Sequence, residues 1–148
     1  MPSFTLRRAD KDDEPLAFRI FSTAMREYVE RTWGWDEARQ RQGHRADFRP
    51  DLHSIVLVDD QTAGVISVEE HPGHLQLLKL YLLPAFCGQG LGSRLLLAVI
   101  AQGQAAGKPV HLRVLRANGP AQAFYAGHGF LVVDETPERI FMRHQAAN

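Results

Sequence analysis

Residues 77–96 read LLKLYLLPAFCGQGLGSRLL. An apolar run typical of a strand leads through a proline and three alternating glycines, Gly88, Gly90 and Gly92, into a leucine-rich segment with helical spacing. The start of a helix presents unpaired N–H groups and a partial positive charge, and glycines let a ligand approach that backbone closely. We therefore predict that this loop binds a phosphate rather than forming an ordinary turn.

Two familiar phosphate loops do not match these residues. A Walker loop needs Lys and then Ser or Thr after its last glycine, whereas Ser93 and Arg94 follow Gly92. A dinucleotide-binding loop needs a third glycine at position 93 and an acidic residue about 20 positions later, where His111 and Arg113 stand. The sequence thus argues against a nucleoside triphosphate site and against a dinucleotide site.

The segments around the loop alternate between strand and helix patterns. Strands are predicted at 4–9, 53–60, 64–71, 75–84, 110–115, 130–135 and 139–145, and helices at 11–33, 34–48, 90–107 and 119–127. A turn over DDQTAG, residues 59–64, and a turn at Pro72–Gly73 join antiparallel hairpins. Hairpins on both sides of one βαβ unit predict an α/β fold with a mixed, mostly antiparallel sheet of about seven strands and about four helices.

Composition and length limit the classes of protein to which the chain can belong. The 148-residue chain is 45% hydrophobic, with 17 basic and 17 acidic side chains, which predicts one domain over residues 1–148 and argues against nucleic acid as a partner. No apolar run approaches the roughly 20 residues that span a bilayer, so no membrane partner is expected. A lone cysteine, Cys87, and the lack of an apolar signal region in MPSFTLRRAD predict a cytoplasmic location.

Two segments resemble the signatures of a known family. CGQGLG, residues 87–92, is similar to the Gln/Arg-x-x-Gly-x-Gly/Ala signature of the Gcn5-related N-acetyltransferases (GNAT), with Cys87 in place of Arg or Gln. NGPAQAFYAGHGF, residues 118–130, resembles the second signature, and one helix and one strand separate the two, as in the family. The resemblance implies the GNAT fold for nearly the whole chain. It also implies acetyl-CoA as the acyl-donor cosubstrate, with no metal.

The resemblance further implies where acetyl-CoA binds. The pyrophosphate is expected on the backbone of Gly88, Gln89, Gly90, Leu91, Gly92 and Ser93. The strand before the loop is expected to diverge from the strand after the helix, so that Leu80, Tyr81 and Leu82 offer unpaired backbone groups to the pantetheine. The N–H of Leu82 would then stabilise the negative charge that develops on the thioester oxygen.

Two residues of the second signature have alternative interpretations. The family's tyrosine is thought to protonate the departing CoA thiolate, yet Tyr125 also shares a helical stripe with Ala121 and Phe124 and would suit the core. Asn118 suits a helix N-cap, and the family also uses this asparagine to touch the cofactor. We expect Tyr125 to be the general acid and leave both roles open for Asn118.

The general base must be sought outside the family's usual positions, because two of these hold Gln76 and Arg113 here. A two-residue turn at Pro72–Gly73 sets Glu69 opposite Gln76 and turns Glu70 to the other face. We therefore predict that Glu69 takes the proton of the attacking amine, directly or through a water.

The segment REYVERTWGWDE, residues 26–37, lies where the family's first two helices border the acceptor cleft. Its candidate acceptor-site residues are Tyr28, Trp33, Trp35, Asp36 and Glu37. Aromatic walls and two carboxylates would favour a small cationic amine. In the alternative interpretation the tryptophans fill the core, and Asp36 or Gly34 starts the next helix.

His71 and His74 raise the question of a metal site. They flank the Pro72–Gly73 turn without a third Cys, His, Asp or Glu at ligand spacing. We therefore interpret them as solvated turn residues and predict no metal.

Together these features predict an acetyl-CoA-dependent N-acetyltransferase that acts on a primary amine by direct attack in a ternary complex. The acceptor is expected to be a small-molecule or peptide amine. The alternative is a weakly active or inactive acyl-CoA-binding or sensor module of the same fold, which the two replaced base positions favour and Tyr125 opposes. Cys87 is interpreted as a substituted family residue rather than a nucleophile. The oligomeric state stays open, with a homodimer among the alternatives.

Overall fold

The structure of the protein is a computed structural model that describes residues 3–145. In this part of the chain seven strands form one sheet: β1 (Thr5–Arg8), β2 (His53–Val58), β3 (Gln61–Glu70), β4 (Leu75–Leu82), β5 (Val110–Leu115), β6 (Leu131–Glu135) and β7 (Arg139–His144). The same residues form four α-helices: α1 (Glu14–Trp33), α2 (Glu37–Asp47), α3 (Leu91–Ala106) and α4 (Gly119–Gly127). None of these described helices has the length and apolarity needed to cross a membrane. The α/β fold predicted from the sequence is confirmed.

The strands follow the order β1-β2-β3-β4-β5-β7-β6 across the sheet. Neighbouring strands are antiparallel except for β4 and β5, which are parallel and are connected through α3. A parallel pair requires such a crossover, because the chain must return to the same end of the sheet. The single βαβ unit therefore sits in the middle of the sheet, as the sequence predicts.

The parallel pair is bonded only at its beginning. Leu75 of β4 lies opposite Val110 of β5, and the next residue of each strand forms the second pair. Beyond these two pairs, the described residues of β4 and β5 do not pair with each other. The divergence implied by the family resemblance is confirmed, and we call the space between the two strands the β4–β5 gap.

A bulge in β4 accounts for this divergence. Leu77 and Lys79 pair with consecutive residues of β3, so Leu78 is an extra residue between them. A bulge bends its strand and increases the local twist. Because Leu78 comes two residues after the last residue that pairs with β5, the bend turns the rest of β4 away from β5.

Different helices cover the two faces of the sheet. On one face, Leu95 of α3 and Tyr125 of α4 belong to the larger apolar core, against which Leu80 of β4 packs. On the other face, Ile20 of α1 belongs to a smaller core, against which Tyr81 packs. Successive residues of β4 therefore point alternately to the α3 side and to the α1 side of the sheet.

The predicted turn over residues 59–64 is shorter in the structure. Asp59 and Asp60 alone form it, with φ values of 50° and 63°, and β3 already begins at Gln61. Two consecutive left-handed residues match the twist of the flanking strands, and aspartate tolerates this conformation better than most residues. At the Pro72–Gly73 turn the register is as predicted, since the N–H of His71 donates to the carbonyl of His74 over 2.9 Å.

Gly64 allows β3 and β4 to approach each other. A Cβ at this position would lie 2.1 Å from the carbonyl oxygen of Tyr81 and 3.1 Å from the Cα of Leu82. Both are backbone atoms of a paired strand, so they cannot move aside without disturbing the ladder. Gly64 therefore helps to position the end of β4, where the candidate site begins.

We expect Gly64→Ala to lower the free energy of unfolding by about 1–3 kcal/mol, the usual cost of overpacking, as measured by urea denaturation. Gly43→Ala is the matched control, because a Cβ at Gly43 meets no neighbouring atom within 4 Å. Gly43 lies inside α2, where alanine should stabilise the helix by up to about 1 kcal/mol. Equal stability of the two variants would contradict the close approach of β3 and β4.

Candidate functional site

The glycine loop leads into α3 with its backbone accessible. Gly88 and Gly90 have φ values of +76° and +80°, a left-handed conformation that residues with a Cβ resist. α3 begins at Leu91, and no described side chain caps its first N–H groups. These N–H groups and the positive end of the helix dipole are therefore available to an anion.

Two other residues of the loop have distinct surroundings. Gln89 braces the loop, because its Nε2 donates to the carbonyl of Ala85 over 3.0 Å. Gly92 lies in the first turn of α3, where a Cβ would contact Phe124 and Leu82 at ordinary distances of 3.5 and 3.6 Å. The fold alone thus does not require glycine at position 92, whereas the backbone conformation favours it at positions 88 and 90.

Cys87, which stands where the family carries Arg or Gln, points back at the end of β4. Its Sγ lies 3.5 Å from the carbonyl oxygen of Leu83 and 3.7 Å from that of Leu82. The thiol is a weak donor to these two carbonyls and is otherwise exposed. It therefore links the start of the glycine loop to the strand.

The direction of the β4 backbone shows which groups face the β4–β5 gap. Leu83 donates its N–H to the carbonyl of Ala63 in β3 over 2.8 Å. Because N–H groups alternate in direction along a strand, those of Leu82 and Leu80 point away from β3 and into the gap. Two N–H groups, rather than Leu82 alone, are candidates to stabilise a negatively charged oxygen.

A cleft of about 340 Å³ lies between α1 and the diverging parts of β4 and β5. It brings together Leu80, Tyr81, Trp33, Asn118 and Tyr125, all of which the sequence places in the site. Among the described residues that line this cleft there is no aspartate or glutamate. The cleft therefore contains the candidate acid and the free strand backbone but no carboxylate base.

Tyr125 belongs both to the core and to the cleft. Its ring packs edge-on against Phe124 and Phe130, at centroid distances of 5.2 and 5.6 Å, and the residue is 8% exposed. Burial and the nearby phenol of Tyr81 raise the pKa of Tyr125. The raised pKa keeps the phenol protonated at neutral pH, which a general acid requires.

Tyr81 is the second phenol of the cleft. Burial raises the pKa of Tyr81 to about 12, so this phenol is also neutral. Its ring lies 6.1 Å from that of Phe21, which anchors β4 against α1.

Asn118 forms the N-cap of α4. This is the structural one of the two roles that the sequence leaves open for this residue. Its Oδ1 accepts a hydrogen bond from the N–H of Ala121 over 3.2 Å, while its Nδ2 lies 3.9 Å from Met25 Sδ. Asn118 is buried and also lines the cleft. The cap holds the first turn of the helix that carries Tyr125.

The hairpin register predicted for the candidate base is confirmed. Glu69 lies opposite Gln76, and Glu70 points to the other face. Glu69 binds Nε2 of His71 at 3.1 Å, whereas Glu70 pairs with Lys108 at 2.9 Å. The two glutamates are thus in different environments, and only Glu69 shares a face with Gln76.

The register also sets the distance from Glu69 to the candidate N–H groups. Leu80 lies opposite a residue three positions before Glu69 on β3, which corresponds to about 10 Å. Leu82 lies opposite a residue five positions before Glu69, which corresponds to about 17 Å. A glutamate side chain does not span either distance, so Glu69 would reach an amine there only through a relay.

The candidate acceptor segment, residues 26–37, is divided between structural and cleft positions. Trp33 is 54% exposed and lines the cleft, so it does not fill the core. Trp35 packs against Phe18 and Phe21 of α1, with the nearer centroids 5.9 Å apart. Tyr28 is half-buried and does not line the cleft.

The two acidic residues of this segment have structural contacts. Asp36 is the N-cap of α2, since its Oδ1 accepts from the N–H of Arg39 over 3.1 Å. Glu37 accepts from Nε1 of Trp35 at 2.9 Å and pairs with Arg41 at 2.7 Å, and the bond from Trp35 lowers the pKa of Glu37. The sequence predicts that these carboxylates attract a cationic amine, but neither of them lines the cleft.

Three cationic residues of the cleft are absent from the sequence-based site. They are Lys79 of β4, Arg113 of β5 and Arg139 of β7. For Lys79 and Arg113 the signal is a charged residue inside an apolar strand, as in LLKLYLL and VHLRVL, whereas Arg139 is the first residue of its strand and lacks this signal. Such residues are costly in a core unless the side chain reaches a polar cavity or a partner.

Two histidines, one within α2 and one at the start of β2, add no charge to this region at neutral pH. The Nδ1 of His53 bonds to the carbonyl of Arg49 over 2.6 Å, and burial lowers the pKa of His53 to about 4. His44 contacts the carboxylate of Glu14, yet burial still lowers its pKa. Both rings are therefore neutral near pH 7.

The histidines of the β3–β4 hairpin stack rather than converge on a point. The rings of His71 and His74 are 4.6 Å apart, and that of His111 lies 4.2 Å beyond His74. Between residues 3 and 145, no group of three or more His, Cys, Asp or Glu side chains is arranged to hold a metal ion.

Comparisons with known proteins agree with this geometry. Residues 12–130 match the model of the acetyltransferase (GNAT) family. No curated protein sequence matches the chain at a significant level. A PaiA N-acetyltransferase from Thermoplasma acidophilum, solved in complex with coenzyme A, has a TM-score of 0.78 at 19% identity, over 97% of this chain and 99% of that one.

Two further solved structures share the fold. The ribosomal-protein-S18-alanine N-acetyltransferase of Escherichia coli has a TM-score of 0.70 at 19% identity, covering 99% of this chain and 97% of that one. An acetyltransferase from Thermus thermophilus has a TM-score of 0.73 at 21% identity, covering 97% of this chain and 99% of that one. With the family match over most of its length and the β4–β5 gap beside the glycine loop, the chain belongs to the acetyltransferase (GNAT) family.

Proposed function

We propose that this acetyltransferase transfers the acetyl group of acetyl-CoA to a primary amine, by direct attack of the amine within a ternary complex. The observation that carries the proposal is the β4–β5 gap, into which the N–H groups of Leu80 and Leu82 point. Strand N–H groups without a partner strand can donate to the carbonyl groups of a ligand, so a ligand with amide and carbonyl groups is a suitable partner for them.

The residues of the glycine loop fit the donor. The left-handed Gly88 and Gly90 and the uncapped start of α3 offer the backbone N–H groups that would hold a pyrophosphate. Asn118 and Tyr125 would border the pantetheine from α4. The relative from Thermoplasma acidophilum that was solved with coenzyme A supports this assignment by its shared fold.

In the proposed reaction the amine nitrogen bonds to the acetyl carbon and the carbon–sulfur bond breaks. The N–H of Leu82 or of Leu80 would stabilise the charge that develops on the carbonyl oxygen. The hydroxyl of Tyr125 would give its proton to the departing sulfur, and the proton lost by the amine would pass to a base. The acetylated amine and free CoA are the products.

We propose Glu69 as that base, acting through a relay of water molecules rather than by contact. Along β3, Glu69 lies about 10 Å from the residue opposite Leu80 and about 17 Å from the residue opposite Leu82. The relay is therefore shorter if the thioester oxygen is held at Leu80.

A weakly active or inactive acyl-CoA-binding module remains the second candidate function. The absence of any carboxylate among the described cleft-lining residues favours it. A turnover assay that follows release of free thiol from acetyl-CoA, with a panel of amines, separates the two candidates. Thiol release that depends on the added amine supports the enzyme, whereas CoA binding without turnover supports the binding module.

The first test of donor binding is Gly90→Val. A branched side chain resists the left-handed φ and blocks the approach of a phosphate, so we expect CoA affinity measured by calorimetry to fall at least about tenfold. Gly107→Val is the matched control, because Gly107 also has a positive φ, of +68°, but lies at the other end of α3. A similar CoA affinity in both variants would argue against the glycine loop as the phosphate site.

Removal of the Tyr125 hydroxyl tests the general acid. Tyr125→Phe keeps the ring that packs against Phe124 and Phe130, so the melting temperature and CoA affinity should change little. The turnover number should fall by about 10- to 1,000-fold in an assay limited by the chemical step. Wild-type turnover in this variant would leave Tyr125 with a packing role alone.

The relay from Glu69 is tested by comparing Glu69→Gln with Glu70→Gln. An aliphatic amine has a pKa of about 10 and must lose a proton, so Glu69→Gln should flatten or move the acidic limb of the pH–rate profile. Glu70→Gln should leave the profile unchanged, because Glu70 faces the other side of the hairpin and pairs with Lys108. If both variants keep the wild-type profile, the proton leaves by another route.

A further inference from the structure

Three cationic side chains line the cleft. Lys79, Arg113 and Arg139 come from three different strands, and the described lining contains no acidic residue. Within the described chain, neither guanidinium forms a salt bridge. The other polar lining groups are amides and phenols, which do not neutralise them. The cleft is therefore positively charged.

The two arginines are close enough to repel each other. Partial burial, together with the charge of Arg139, lowers the pKa of Arg113. The guanidinium of Arg139 lies over the ring of Trp33, with 5.1 Å between its Cζ and the ring centroid. Lys79 differs from them, because Asp47 and Glu14 lie within electrostatic reach of its ammonium group. The uncompensated charge thus belongs chiefly to the arginine pair.

These cations lie on the opposite face of the sheet from the glycine loop. The neighbours of Arg113 on β5, Leu112 and Val114, pack into the core on the α3 side, and so does Ile140 beside Arg139. Alternation along the strands therefore directs both arginines to the α1 side. The pyrophosphate expected at the start of α3 is not their partner.

We propose that the acceptor is a small amine that also carries a carboxylate, and that Arg113 and Arg139 bind this carboxylate. The inference rests on the proposed N-acetyltransferase function and names its substrate class. A guanidinium binds a carboxylate through two parallel hydrogen bonds, and a negative group between two arginines relieves their repulsion. This carboxylate-bearing acceptor replaces the cationic acceptor expected from the acidic residues of segment 26–37, because Asp36 and Glu37 are engaged in α2.

Matched pairs of acceptors test the proposal. Each α-, β- or γ-amino acid of a panel is compared with the amine of the same chain that lacks the carboxylate, using release of free thiol from acetyl-CoA. We expect kcat/KM to favour the carboxylate-bearing member by about tenfold or more, the usual effect of a charge-assisted hydrogen bond. The preference should decrease as ionic strength rises, because salt screens the partly exposed arginines.

Arg113→Gln and Arg139→Gln should each raise KM for the carboxylate-bearing acceptors by about tenfold and leave the plain amines unchanged or improved. Arg143→Gln is the matched control, since Arg143 is an exposed arginine on the same strand as Arg139 but does not line the cleft. Equal kcat/KM within the pairs, or a preference for the plain amines, would overturn the carboxylate proposal while leaving N-acetyltransferase function intact.

A binding measurement tests the proposal even where turnover is slow or absent. The protein saturated with CoA is titrated by calorimetry with N-acetylated amino acids and with the N-acetylated amines that lack the carboxylate. Tighter binding of the carboxylate-bearing compounds, lost in Arg113→Gln, supports the proposal independently of activity. Equal binding, or binding of neither compound, overturns it. Lack of CoA binding would instead contradict the proposed function.

Discussion

The separation of β4 from β5 after two residue pairs is the constraint on which the candidate site depends. β4 is bonded along its other edge to β3 as far as Leu82, and β5 is bonded along its other edge to β7 over its full length. Both strands are therefore held in place while their facing edges diverge. The extra residue at Leu78 and the close approach at Gly64 fix where β4 bends. The free N–H groups of the gap follow from this geometry.

The two faces of the gap differ in the way they attract ligands. On the α3 side, attraction comes from backbone N–H groups and a helix dipole, which bind phosphate without a charged side chain. On the α1 side it comes from arginine and lysine side chains on three strands. In the proposed function, the sheet separates a donor site built from backbone from an acceptor site built from side-chain charge. Because the charges lie on the opposite face from the glycine loop, the proposed acceptor and the proposed pyrophosphate site would not compete for the same cations.

Several residues of the site also stabilise the fold. Asn118 caps α4, Tyr125 packs into the larger core, and Asp36 caps α2. Asn118 and Tyr125 also line the cleft, so their structural contacts are compatible with the proposed functional roles. For Asp36 the structural contact holds the carboxylate away from the cleft. A structural contact therefore does not by itself exclude or require a place in the cleft, because that depends on which surface the helix turns toward the gap.

The sequence by itself determined the order of helices and strands, the glycine loop, the cap at Asn118, and the register that places Glu69 opposite Gln76. These features depend on residues close together in the chain, where periodicity, turn chemistry and capping act over a few positions. It predicted too long a turn before β3, because two left-handed aspartates, Asp59 and Asp60, complete the turn by themselves. Only the tertiary structure decided the charge of the cleft. Lys79, Arg113 and Arg139 are far apart in sequence, and the crossover through α3 and the return of β7 beside β5 bring them onto one face. Local sequence patterns do not encode such long-range pairing, because it depends on which strands become neighbours and on where a bulge makes them diverge.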